Sequence, residues 1–97
     1  MLIRIVRMHF KEDDIDYFLD IFHANKESIR DVKGCTHLAL LADVNHPNVY
    51  STLSHWSSAD ALEDYRNSAL FRDVWGKVKV LFSDPPQAFS LEKIVEL

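Results

Sequence analysis

The chain has 97 residues, with eleven Lys and Arg against fifteen Asp and Glu, for a formal net charge of −4. That balance offers no positive field for a phosphate backbone or an anionic lipid surface, so nucleic acid and membrane are excluded as expected partners. A composition 47% hydrophobic with only two Gly and three Pro excludes a disordered or fibrous chain and predicts one folded domain over residues 1–97. Cys35 is the lone cysteine, which leaves no intrachain disulfide and no thiolate cluster for a metal. The opening MLIRIVRMHF turns charged before a signal-peptide core could form, and the expectation is a cytoplasmic protein.

Residues Leu2 to Phe10 alternate loosely between apolar and polar, with Ile, Val, Met and Phe prominent, and predict a first strand. Lys11-Glu12-Asp13-Asp14 then supplies first-turn negative charge and a carboxylate for an N-cap. Ile15, Phe18, Leu19, Phe22 and Ile29 recur at helical spacing, predicting a helix over about 13–32. Gly34 ends it, as the residue most tolerant of a left-handed conformation. Cys35 to Asp43 and Val49 to Trp56 are strand-like runs joined by the turn chemistry of Asn45-His46-Pro47-Asn48, a hairpin. If Asp43 pairs with Val49, His37 faces His55. Ser57-Ser58-Ala59-Asp60 resembles a helix start, with Asp60 where a capping box would have Glu. Asn67-Ser68 offers a second cap, before Phe71, Val74, Trp75, Val78, Leu81 and Phe82 on one helix face, so this region is expected to kink or split near Ser68. Pro85-Pro86 stops it, and Phe89 to Leu97 is predicted as the fourth strand.

The order β-α-β-β-α-β predicts an α+β, ferredoxin-like sandwich with two helical regions on one face of a four-stranded antiparallel sheet. Leu2, Val6, Met8 and Phe10 share one face of strand one and Ile3 and Ile5 the other; Leu38 and Leu40 likewise oppose Ala39 and Leu41. Helices on one face cannot cover both sets, so a homodimer formed through sheet faces is expected.

Two glycines cannot build a phosphate-binding loop, and neither a Gly-x-Ser-x-Gly elbow nor a His-Glu-x-x-His helix occurs. Among the histidines, His23 and His46 fall in polar surroundings, whereas His37 lies inside an apolar strand, where an imidazole can be a general base or a hydrogen-bonded structural residue. His37 and His55 show no third ligand, so no metal site is predicted. Arg7, in an otherwise apolar strand, is a candidate anion stabiliser. Tyr65, Phe71, Trp75 and Phe82 line the second helical region, either as core or as the wall of an apolar small-molecule pocket.

Gly34-Cys35-Thr36-His37-Leu38, Leu41 to Asn48, Ser54-His55-Trp56-Ser57-Ser58, Ala61 to Ser68 and Phe71 together resemble the antibiotic biosynthesis monooxygenase domain family. The carrying motifs are a strand ending in Trp56 and the helix Ala61-Leu62-x-x-Tyr65-x-x-Ser68-x-x-Phe71. The resemblance implies a dimeric α+β barrel, two ferredoxin-like protomers packed sheet against sheet, each with an apolar pocket between helices and sheet. It further implies oxidation by dioxygen of a small aromatic substrate, a quinol or polycyclic phenol, with no cofactor; the alternative is a non-catalytic barrel that binds a small apolar metabolite. In the haem-degrading branch of the family, the positions of Tyr65 and Trp75 hold Trp and a haem-ligating His, with an Asn in strand one where this chain has Arg7, so the resemblance implies no haem. The resemblance places Tyr65 at the family's pocket-facing helix position and Trp75 ten residues on; if that pocket takes an acidic phenol, His37, as the titratable residue of an apolar strand, is expected to accept the proton and Tyr65 to hydrogen-bond the substrate oxygen. Arg7, Trp75, Phe71 and Trp56 are expected to bind it.

Overall fold

The computed structural model describes residues 1–97. Four strands, β1 (Leu2–His9), β2 (Cys35–Ala42), β3 (Val49–Trp56) and β4 (Gln87–Leu91), and three helices, α1 (Ile15–Arg30), α2 (Ala59–Arg66) and α3 (Ala69–Val78), follow in the predicted order. The strands form one antiparallel sheet in the order β2-β3-β1-β4. This is the ferredoxin-like α+β arrangement.

Strand alternation divides the side chains between two faces. Val6, Met8, Phe10, Leu40 and Tyr50 pack with Phe18, Phe22, Val74 and Val78 from α1 and α3 in the main core. Phe10 and Phe18 stack with ring centroids 4.1 Å apart. A second cluster at the other end of the sheet joins Cys35, Trp56 and Leu62 to Leu2, Val32, Ala61 and Tyr65. The opposite face carries Ile3, Ile5 and Arg7 of β1, paired with His55, Leu53 and Ser51 of β3 and with Leu91, Phe89 and Gln87 of β4. No helix covers this face, and Leu41, Phe89 and Leu91 are each about 45% exposed.

Local sequence chemistry sets most boundaries. Ser58 accepts a hydrogen bond from the Ala61 amide and Ser68 one from the Phe71 amide, so the second helical region splits at Asn67-Ser68. With Ser58 as the cap, the capping-box position falls on Ala61, and Asp60 has no such role. The expected carboxylate cap of the first helix is also absent: Glu12–Asp14 instead form a turn of 3-10 helix with no side-chain cap. Gly34 has φ +90, and a Cβ there would come within 2.5 Å of the Ala61 Cβ. Both the backbone conformation and the close approach of α2 therefore require glycine.

The fourth strand differs from its predicted span of Phe89 to Leu97. It starts at Gln87, opposite Arg7, and ends at Leu91, opposite Ile3. In this register Glu92 would fall opposite Leu2, the first residue of β1, so β1 offers no strand partner to residues 93–97, although Ile94, Val95 and Leu97 continue an apolar pattern and are exposed.

Candidate functional site

Between the sheet and the helices lies a cavity of about 310 Å³, lined by nineteen residues of which fourteen are hydrophobic. Its floor comes from the helix-side positions of the strands, including Arg4, Val6 and Met8 of β1, Leu38 of β2 and Thr52, Ser54 and Trp56 of β3. Its wall is a chain of aromatic rings. Trp56 and Tyr65 stack at 5.1 Å between centroids, Phe71 meets Tyr65 edge-on at 5.3 Å, and Phe71 stacks on Trp75 at 5.8 Å. The break at Ser68 lets this chain turn a corner: Tyr65 belongs to α2 while Phe71 and Trp75 belong to α3.

Polar groups in the cavity are few. The Trp56 indole donates from Nε1 to Ser54 Oγ at 2.9 Å, which satisfies the one polar atom of a ring only 1% exposed. Burial, with a smaller contribution from Cys35, pushes the Tyr65 phenol up to about 12, so it is a hydrogen-bond donor and not a base at neutral pH. Arg4 and Arg66 bring two guanidinium groups to the lining. Burial lowers the Arg4 pKa, the Arg66 charge lowers it further, and Glu63 opposes both. Such a direction marks a cation held among apolar groups beside a like charge, an arrangement that an incoming anion relieves. Arg4 donates from Nη1 to Ser90 Oγ at 2.9 Å, and Arg66 pairs with Glu63 at 3.2 Å. Neither carboxylates nor imidazoles line the cavity.

Of the residues expected at the site, the structure brings together Tyr65, Trp56, Phe71 and Trp75. It places His37 and Arg7 elsewhere. His37 is exposed on the uncovered sheet face, directly across the ladder from His55, so the sheet separates it from Tyr65. Arg7 lies on the same uncovered face and donates from Nη2 to Asp43 Oδ2 at 3.2 Å. The physical reason is parity: odd-numbered positions of β1 point away from the helices, and His37 alternates with the helix-facing Leu38. The same parity would have found Arg4, which shares the face of Leu2, Val6 and Met8; both arginines sit between apolar neighbours, Ile3 and Ile5 for Arg4 and Val6 and Met8 for Arg7, so neighbours alone do not tell which of them faces the helices. Arg66 carries no sequence signal beyond adjoining Tyr65.

The donor set also bears on haem. None of the five imidazoles lines the cavity, and Trp75, which does, has no lone pair for iron; the residues present do not fit a haem with a histidine ligand. On the other face, His37 and His55 gain no third metal-ligating side chain: no three His, Cys, Asp or Glu groups converge anywhere in the structure. Cys35 is buried, and burial raises its pKa, only partly offset by the His37 backbone and the Arg30 charge. It is an inert core thiol. No helix is long and apolar enough to cross a membrane.

A four-stranded ferredoxin-like sheet with an aromatic-walled cavity under its helices defines a class of small α+β proteins. A family model described as antibiotic biosynthesis monooxygenase matches residues 1–75, and the chain belongs to that family. No curated protein sequence matches it. Among solved structures, an antibiotic biosynthesis monooxygenase superimposes with a TM-score of 0.91 at 18% identity, covering 98% of this chain and 100% of that one. A conserved protein from Methanosarcina mazei Go1 gives 0.89 at 16% identity, covering 96% and 93%. A Bordetella bronchiseptica protein, provisionally named as an antibiotic biosynthesis monooxygenase, gives 0.86 at 22% identity, covering 97% of each. At these identities the likeness establishes the fold and leaves the reaction open.

Proposed function

We propose that this protein oxidises a small, acidic aromatic compound, a quinol or polycyclic phenol, with dioxygen and without a cofactor, in the cavity between helices and sheet. The observation that carries the reading is the pairing of Arg4 and Arg66 with an otherwise apolar, aromatic-walled cavity. An opposite charge within about 4–6 Å lowers an acid's pKa by roughly one to three units. Two guanidinium groups therefore draw a bound phenol into its phenolate form, and its proton passes to water without a protein base. Tyr65 donates to the substrate oxygen, and Trp56, Phe71 and Trp75 hold the ring.

The electron-rich phenolate then reduces dioxygen itself. For an activated methylene, one oxygen atom enters the product as a carbonyl and the other leaves as water, and the four electrons come from the CH₂ group as it becomes C=O. The assignment of proton acceptance to His37 and of anion binding to Arg7 is replaced by ionisation through Arg4 and Arg66, because the first pair faces away from the cavity. The working unit in this reading is a cytoplasmic homodimer of the single domain 1–97, its protomers joined through the uncovered sheet faces.

The second reading, a non-catalytic dimeric barrel that binds a small apolar metabolite, is favoured by one observation: the only titratable acid in the lining, Tyr65, sits at about 12. Dioxygen uptake and thermal shift, measured on one panel of quinols and phenols, separate the two. Uptake supports the oxygenase, a shift without uptake supports the binding barrel, and neither response contradicts both.

A further inference from the structure

We infer that the aromatic ligand of the cavity carries a carboxylate besides its phenol, and that Arg4 and Arg66 hold this second anionic group where the cavity opens along β4. The inference rests on the reading that the cavity takes an aromatic acid, and narrows that class to hydroxylated aromatic carboxylates.

Charge balance supplies the first argument. Arg4 and Arg66 both line the cavity, and no side chain of the lining carries negative charge. Arg4 donates to the neutral Ser90 hydroxyl. Glu63, which pairs with Arg66, stands outside the lining and is exposed, and an exposed pair of this kind contributes little and commits neither partner. A phenolate brings one negative charge to two guanidinium groups, whereas a phenolate with a carboxylate brings two. Shape agrees with charge, because the fork of a guanidinium matches the two oxygens of a carboxylate and a phenolate offers a single oxygen.

Position supplies the second argument. One row of helix-side residues crosses the sheet as Leu38, Ser54, Arg4 and Ser90, from β2 to β4, so the cavity floor turns from apolar to polar towards β4. That side is also the open one: β4 is exposed along its length, and Ala88 and Arg66 are exposed residues of the lining. Met8, Trp56 and Val78, which line the same cavity, are buried. A ligand with its rings against the buried residues and its carboxylate at the rim keeps that charge partly hydrated while it meets both cations, and avoids the cost of burying it unpaired.

The test compares three ligands on the full chain by calorimetry at neutral pH: naphthol, naphthol with a carboxylate meta to the hydroxyl, and the carboxamide of that acid. The meta arrangement prevents an internal hydrogen bond, and the carboxamide keeps the shape without the charge. The acid should bind about tenfold or more tightly than the carboxamide, with a preference that shrinks as salt is raised. Arg4→Met and Arg66→Met should each bring the ratio of the two affinities towards one. The comparison on the unsubstituted chain stands even if a variant fails to fold. An acid that binds no more tightly than its carboxamide, or a preference that survives both substitutions in folded variants, would overturn the inference. Naphthol bound as its phenolate with no preference for the acid would remove the carboxylate alone and leave the ionisation of phenols in place. A preference for the acid with bound naphthol titrating at its solution pKa would support the carboxylate site and contradict the ionisation.

Discussion

Tyr65 and Trp56 stack face to face, 5.1 Å between ring centroids and 23° between planes, and this contact links the cavity wall to the core. Trp56 is almost fully buried, whereas Tyr65 borders the open space. The same burial that places the phenol there raises its pKa to about 12. Alkaline titration followed by phenolate absorbance should show a step at about 12, and Tyr65→Phe should remove it. The sign for stability follows: a folded pKa above the unfolded value of about 10 means a contribution fully present below pH 10 and lost as pH rises towards 12.

Removing the hydroxyl of Ser54 leaves the Trp56 indole N–H buried without a partner. Ser54→Ala should cost about 1–3 kcal/mol, read as a lowered denaturation midpoint at unchanged slope. An unchanged midpoint would mean the indole finds another acceptor.

Gly34→Ala should destabilise by more than the usual helix-end penalty, because it combines φ +90 with a 2.5 Å approach to the Ala61 side chain. Gly34→Ala with Ala61→Gly should recover part of the loss by removing the clash while leaving the backbone strain. A double variant no more stable than Gly34→Ala would place the whole cost in the backbone.

The parts of this fold that were legible in the sequence are those where one local signal decides. The register that pairs His37 with His55 follows from the Asn45–Asn48 turn, and the helix break follows from Ser68 as a cap. The fourth strand differs from its expected span because its apolar pattern continues past Leu91, while β1, which begins at Leu2, offers no strand partner beyond the position opposite Glu92. The site was half legible for a similar reason. Tyr65, Trp56, Phe71 and Trp75 follow from motif and helical spacing, but choosing between Arg4 and Arg7, or reading the direction of His37, requires knowing which sheet face the helices cover. Both faces of β1 and β2 carry apolar residues, so hydrophobicity alone does not separate them.

That two-sided character bears on the oligomeric state. Leu41, Leu53, Phe89 and Ile5 occupy a face no helix covers, and an obligate dimer through it should bury about 2,000 Å² or more. Sedimentation should give twice the chain mass at micromolar concentration, and Leu53→Glu should shift the population towards monomer. A single 11.3 kDa species for the unsubstituted chain would contradict the sheet-face dimer.

Acid should weaken the hairpin turn. The Asn45 amide is the largest influence on the Asp43 carboxyl and lowers its pKa; burial, next in size, raises it, and Arg7 with the His46 amide and charge tips the balance, so the carboxyl stays below its ordinary pKa. A depressed folded pKa stabilises above the unfolded value near 4 and loses that contribution as pH falls through the folded one. The difference in melting temperature between the natural chain and Asp43→Ala should therefore shrink below about pH 4; a constant difference would detach the turn from this carboxyl.

The central claim, that Arg4 and Arg66 ionise an aromatic acid inside the cavity, is tested most directly by the absorbance spectrum of a bound chromophoric phenol as a function of pH. The account predicts that the phenol binds as its phenolate at least one unit below its solution pKa, and that Arg4→Met and Arg66→Met each move that transition back towards the solution value. A bound phenol that titrates at its solution pKa, or one whose transition is indifferent to both substitutions, would contradict it.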